Sequence, residues 1–271
     1  MFLYFLPLLG IILIILVFLP GIKKAKRRKE IIKKEFPESY KNILIKRLPL
    51  YRYLTEEQKK HLHGKILVFL DEVRFEGCAG LEMNDEIKLT IAGQACLLLL
   101  NHKDSFFNII TTILVYPSAY IAKQQNPDGT VDEGNVRLGE SWTTGTVVLS
   151  WDNIIQGIKN TNDGHDVVLH EFAHQLDQED GSGNGAPILK DSSRYAVWAR
   201  VLGKEYKELK KRKKKFKKTT LDYYGATNPA EFFAVATETF FEKPEQMQKK
   251  HPQLFAELKK YYKLDPLTFD N

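Results

Sequence analysis

The sequence predicts an α+β chain, mostly helical with a small mixed sheet, preceded by one transmembrane helix. Capped segments with apolar residues at helical spacing recur along the chain, and β-branched runs between turn signals are short and few. Residues 2–19 are apolar throughout apart from the Tyr4 hydroxyl and the backbone effects of Pro7 and Gly10. A length of 271 residues suits one large domain with an appendage. Only Cys78 and Cys96 are present, so a disulfide framework is not indicated and both read as free thiols. The 40 Lys and Arg against 34 Asp and Glu leave a net charge of +6, concentrated in residues 23–34 and 207–218, and charge of that kind bears on local partners.

Residues 1–21 read as a membrane anchor. A helix over residues 2–19 spans about 27 Å, close to the hydrocarbon thickness of a bilayer. Pro20-Gly21 closes the run, and Lys23, Lys24, Lys26, Arg27, Arg28 and Lys29 follow it. Apart from the amino terminus, no positive charge precedes it. The positive-inside rule then places the N-terminus out and the rest of the chain, as a single-pass protein, in the cytoplasm. Residues 22–49 read as a basic juxtamembrane linker whose charges stop transfer, with 22–36 a helix or linker ended by Pro37.

Thr55 followed by Glu56 and Glu57 opens a helix over residues 56–71, with Leu62, Ile66, Leu67 and Leu70 as its core face. His61 and His63 read as surface residues, because a spacing of two suits no shared metal on a helix. Residues 75–78 read as a turn, and 87–100 as an apolar helix with a break near Gly93. Residues 107–115, rich in β-branched and aromatic side chains, read as a strand. The Asn126-Pro127-Asp128-Gly129 turn joins residues 120–124 and 131–138 as a hairpin or extended loop. Residues 145–151 read as a short strand, with 145–150 the candidate for pairing with substrate backbone and a core strand having an equal claim, and 151–159 read as a short helix.

The stretch Val167-Val168-Leu169-His170-Glu171-Phe172-Ala173-His174-Gln175-Leu176-Asp177 prescribes chemistry by its spacing. Residues four apart share a helix face, so His170 and His174 can offer imidazole nitrogens to one metal while Glu171 reaches a metal-bound water. Asp163 is placed to cap this helix, with Asp166 in its first turn and Gly181 helping to end it. Residues 181–185 read as a linker or lid. A helix follows from residue 192 to about 215, running into the second basic stretch. That stretch has no interleaved aromatic except Phe216 and accompanies no nucleic-acid fold, so direct nucleic-acid binding is not expected.

Asn228 as cap and Pro229 at the first position open a helix to about residue 241. A further helix starts at Pro244 and ends near residue 262. Residues 266–271 read as a tail. Catalytic zinc takes three protein ligands and keeps one position for water, so one Zn2+ ion needs a carboxylate besides the histidines. Glu231 and Glu238 compete for that place, with Glu242 farther off. Glu171 is the candidate general base, Tyr224 or Tyr223 the oxyanion donor, and Asp177 or Asp180 the acceptor of a histidine N–H.

These motifs, with Tyr116-Pro117, Leu149-Ser150-Trp151 and the segment Asn228-Pro229-Ala230-Glu231-Phe232-Phe233-Ala234, resemble the Mlc titration factor A family of zinc-dependent peptidases. That family is itself similar to the catalytic domain of anthrax lethal factor. The resemblance covers roughly residues 50–265 and implies a zincin-like metallopeptidase domain there. It implies His170, His174 and Glu231 as zinc ligands, Glu171 as general base and Tyr224 as the oxyanion tyrosine. It further implies aminopeptidase-like hydrolysis of short peptides. The alternative function it implies is a membrane-tethered regulator that sequesters a transcriptional repressor of sugar-transport genes.

Overall fold

The computed structural model describes residues 5–125, 131–137, 139–142 and 145–269, with side chains over 18–119 and 145–269. A long helix α1 (Phe5–Ile32) leads into α2 (Glu38–Arg47), α3 (Glu56–Glu72), β1 (Arg74–Gly77) and α4 (Asp85–Leu97). Strands β2 (Thr112–Tyr116), β3 (Tyr120–Gln125), β4 (Val131–Arg137), β5 (Gly139–Trp142) and β6 (Thr146–Ser150) follow. The remainder is helical: α5 (Trp151–Lys159), α6 (Val167–Asp177), α7 (Ser192–Lys214), α8 (Pro229–Glu242), α9 (Pro244–Lys250) and α10 (Pro252–Tyr262).

The main sheet runs β1-β2-β6-β5, with β1, β2 and β6 parallel and β5 antiparallel to β6. β6 is therefore paired on both sides, which rules it out as the strand that receives substrate. The edge next to it is β5, which lies against α6. β3 and β4 form the expected antiparallel hairpin, and its turn lies outside the described residues. The segment 75–78, read as a turn, belongs mostly to β1. That strand is four residues long and pairs with a partner almost forty residues later, Arg74 with Thr112, so no local pattern announces it. Residues 107–110 are irregular although Phe107 and Ile110 are buried.

The expected membrane span falls on residues 1–4 and on the part of α1 whose side chains lie outside the described residues. Among the described residues no helix is long and apolar enough to cross a membrane. α1 does not stop at Pro20 but continues to Ile32. Its C-terminal half is held by tertiary contacts. Arg27 donates to both oxygens of Asp71 at 2.8 Å, and Arg28 to both oxygens of Glu72 at 2.7 Å. Ile31 is buried, and Ile32 packs on Gly64 of α3. The cations read as a stop-transfer cluster are thus spent, in part, on the C-terminal end of α3.

α3 opens on a capping box in which Thr55 and Gln58 exchange hydrogen bonds. His63, read as a surface residue, stacks on Phe36 at 4.0 Å and meets the Tyr51 hydroxyl at 2.7 Å, and burial pushes its pKa down to about 4. α4 is unbroken at Gly93, where the missing side chain lets Leu44 of α2 close in; an added Cβ would stand 3.0 Å from it. Phe172 of α6 is fully buried between Phe107 and Phe69, fixing the site helix against α3 and the irregular segment before β2. The expected single helix after Pro244 is two, because Pro252 opens α10. Pro266–Phe269, within the expected tail, forms a 3-10 turn that buries Phe269.

The glycine-rich stretch after α6 is anchored at its end. Gly185 donates its N–H to Asp177 at 2.7 Å and accepts from the Trp198 indole at 2.9 Å. It sits at φ +80°, and an added Cβ would lie 2.4 Å from the Pro229 carbonyl at the head of α8. Gly185→Ala should therefore lower stability by roughly 2–4 kcal/mol, measured by urea unfolding. Gly181→Ala shares the positive φ but meets nothing within 4 Å, and should cost clearly less.

Candidate metal centre

The site is made by two helices crossing, α6 and α8. Asp166, and not Asp163, caps α6: its Oδ1 accepts from the Val168 and Leu169 N–H groups at 2.9 Å. Asp163 instead accepts from Asn160 and from the His165 N–H. Asp166 Oδ2 takes a hydrogen bond from the buried Gln94 of α4 at 2.7 Å. α8 begins where the sequence places it, with Asn228 accepting from Glu231 N–H at 2.9 Å and Pro229 in the first turn.

Together these helices bring His170 Nε2, His174 Nε2 and Glu231 Oε2 into one triangle. The Nε2 atoms are 3.2 Å apart, and Glu231 Oε2 lies 3.0 Å from His170 and 3.2 Å from His174. Hydrogen bonding alone serves such a triangle poorly, since at least one of the facing imidazole nitrogens must be an acceptor. Ligands about 2.0–2.1 Å from a tetrahedral ion stand about 3.3 Å apart, so the donor set fits one metal ion. Among the described residues this is the one cluster of three such side chains that converges in this way. Burial opposes the Glu231 charge, but the two imidazoles hold its carboxyl down at about 2.

Glu238, two helical turns beyond Glu231, lies on the far side of His170. Its Oε1 is 2.6 Å from His170 Nδ1, and its Oε2 accepts the Asp166 N–H at 2.9 Å. Of the two competing carboxylates, then, Glu231 meets both Nε2 atoms, while Glu238 grips the other nitrogen of one ring. Glu242 accepts the His165 N–H at 2.9 Å, away from the triangle. Neither aspartate named as a histidine partner makes that bond: Asp177 takes Gly185 N–H and Asp180 takes Ser182 N–H. Their spacing of seven places Glu231 and Glu238 on a similar face of one helix. Which nitrogen each would meet depends on the helix crossing, which sequence does not carry.

Glu171 is only 6% exposed and has no hydrogen-bond partner among the described residues. Burial pushes its carboxyl up to about 7, against the pull of His170 and His174. Tyr224 sits in a 3-10 turn (Tyr223–Ala226) capped by Asp222, with its ring 5.9 Å from that of His170 and its hydroxyl 3.5 Å from Glu231 Oε1. Tyr223 turns away and donates to the Lys217 carbonyl. The two tyrosines left open by sequence are thereby separated.

Glu238→Gln should weaken metal binding about 10–100-fold, read by chelator competition, with helix content unchanged. A second prediction concerns Glu242, whose carboxyl is pushed up to about 9 by burial and by Asp166 and Asp163. The folded chain holds that proton where an unfolded one releases it near 4.5. Stability is then lost as pH rises between those values. Glu242→Gln keeps an acceptor for His165, so it should be more stable than the parent above neutrality by on the order of 1 kcal/mol. The two should converge at acid pH.

The comparisons with known proteins agree with this geometry. Residues 22–263 match the family described as glucose-regulated metallo-peptidase M90. The chain is 43% identical over 245 residues to an uncharacterised protein of Synechocystis, slr2042, covering 89% of each chain. It is 29% identical over 227 residues to proteins named Mlc titration factor A from Yersinia pestis and Yersinia pseudotuberculosis, covering 82% of this chain and 83% of theirs. With a two-helix site of two histidines and a glutamate inside the matched span, the chain belongs to the M90 metallopeptidase family, that of Mlc titration factor A.

Proposed function

We propose that this chain is a zinc-dependent peptidase with aminopeptidase-like action on short peptides. The observation that carries the reading is the triangle of His170, His174 and Glu231, with Glu171, next to His170 in sequence, buried and without a hydrogen-bond partner among the described residues. Two imidazoles and one carboxylate leave a position open, the donor set of catalytic zinc. Bound there, zinc would acidify a water and polarise the scissile carbonyl. Glu171 accepts the proton of the attacking water and passes it to the leaving amine. Its raised pKa suits both halves of that task. The Tyr224 hydroxyl donates to the oxygen on which negative charge develops. Glu238 fixes the His170 ring by accepting from Nδ1. The edge of β5 away from β6, which pairs with no further strand among the described residues, would offer main-chain groups to an extended peptide, a mode tolerant of side-chain sequence.

A second reading comes from the name of the Yersinia relatives, which speaks of titrating Mlc: a regulator that binds and sequesters a transcriptional repressor. We further place the catalytic domain at the cytoplasmic face of a membrane, with the N-terminus out. The apolar residues 2–19 and the basic residues after them support that placement.

Glu171→Gln should keep stoichiometric zinc and lose about 10²–10⁴-fold in kcat on short peptides. Tyr224→Phe should lose about 10²-fold in kcat with KM little changed. Equal hydrolysis by parent and Glu171→Gln would overturn the mechanism. Zinc without turnover in the parent, together with capture of a repressor, would favour the regulator. Reporter fusions at the C-terminus test the topology, and activity from an extracytoplasmic reporter alone would reverse it.

A further inference from the structure

The two basic stretches have different fates. In the first, Lys24, Arg27 and Arg28 are engaged by Asp71 and Glu72. In the second, residues 207–218, nine of twelve positions are Lys or Arg. Arg212 meets Glu208 at 3.4 Å, and Lys210 lies over the Tyr206 ring. Residues 213–218 are all exposed, and the lysines there have no acidic partner among the described residues. This is an unspent positive patch at the end of α7.

At its apex stands Phe216, 91% exposed. The helix ends in a two-bond cap: Phe216 N–H donates to the Lys213 carbonyl at 3.2 Å and Lys217 N–H to the Arg212 carbonyl at 3.1 Å. That cap requires a left-handed residue, and Phe216 adopts φ +50°. Glycine or asparagine fills this place at least steric cost. Here a bulky aromatic occupies it and is turned wholly into solvent, ringed by lysines.

We propose that residues 207–218 form a docking tip for an anionic lipid bilayer, in which the lysines engage headgroup phosphates and Phe216 enters the boundary between headgroups and acyl chains. Charge complementarity selects an anionic surface, and an aromatic flanked by cations is the composition that settles at that depth. A single ring provides no platform for successive bases, as single-stranded nucleic acid would need. It also lacks the surrounding apolar residues that form the core of a protein interface. The tip is connected to the segment that carries Tyr224: the Lys217 carbonyl accepts from Tyr223, and the Tyr224 hydroxyl lies 3.5 Å from Glu231. The inference stands independently of the peptidase reading.

The test uses the full chain carrying Phe216→Trp, with the parent's tryptophan emission subtracted, on vesicles of phosphatidylcholine with phosphatidylglycerol and on phosphatidylcholine alone. A blue shift and quenching by brominated acyl chains are expected on the anionic vesicles only, and both should fade at high salt. Each lysine changed to glutamine among Lys213, Lys214, Lys215, Lys217 and Lys218 should weaken docking about five-fold. Unshifted, unquenched emission on both vesicles would overturn the proposal, as would equal quenching on both. A shift produced by an oligonucleotide or polyglutamate, with none on anionic vesicles, would overturn it in favour of that other partner. Unchanged circular dichroism of the glutamine variants would show that a lost signal is not lost folding.

Discussion

The Glu238 carboxylate reaches in two directions, to the Nδ1 of His170 and to the backbone N–H of Asp166. It therefore fixes a ring and the head of the helix that carries the ring. Glu231 and Glu238 lie seven residues apart on one face of α8, so a single register of α8 against α6 serves both. A shift of one residue would move each by 1.5 Å and turn it by about 100°. The triangle and its support would fail together. Asn228 and Pro229 set where α8 starts, and Gly185 lets the chain close on Pro229, so the register is secured at the helix head as well.

That arrangement concentrates acid in the interior. Asp166, Glu171, Glu238 and Glu242 are all buried, and burial raises Asp166 and Glu171 to about 7 and Glu242 to about 9. Buried carboxylates stabilise little on their own and repel one another when ionised. A cation held at the triangle would offset part of that repulsion, so metal binding and folding are linked in this domain. Glu171 is among these buried carboxyls and has no hydrogen-bond partner among the described residues.

Much of the site was legible because its parts are local. The spacing of His170 and His174 and the Asn228-Pro229 helix start are written in short segments, and α6 and α8 form where those segments imply. What stayed illegible depends on contacts between distant segments. β1 exists only because β2 pairs with it. The partner of His170 Nδ1 is a glutamate from another helix, and not the nearby Asp177 or Asp180. Asp163 and Asp166 have similar local claims to the α6 cap, and Gln94 of α4 binds the one that prevails. Pro20 read as a stop because the ion pairs that carry α1 onward lie with α3.

Those ion pairs fix the last turns of α1 against α3 and make that end of the helix a handle. Its last turns are clamped by two bidentate arginines, and Arg28 also reaches Asn108, which in turn holds Glu179 just beyond α6. A domain on a flexible tether samples a hemisphere of orientations and meets substrate from any side. A domain clamped to its handle presents one face at one height above whatever the handle enters. If α1 is the anchor proposed above and the domain the proposed peptidase, selection among substrates would then rest partly on which of them can come to that height, a filter set by mechanical geometry and independent of any pocket.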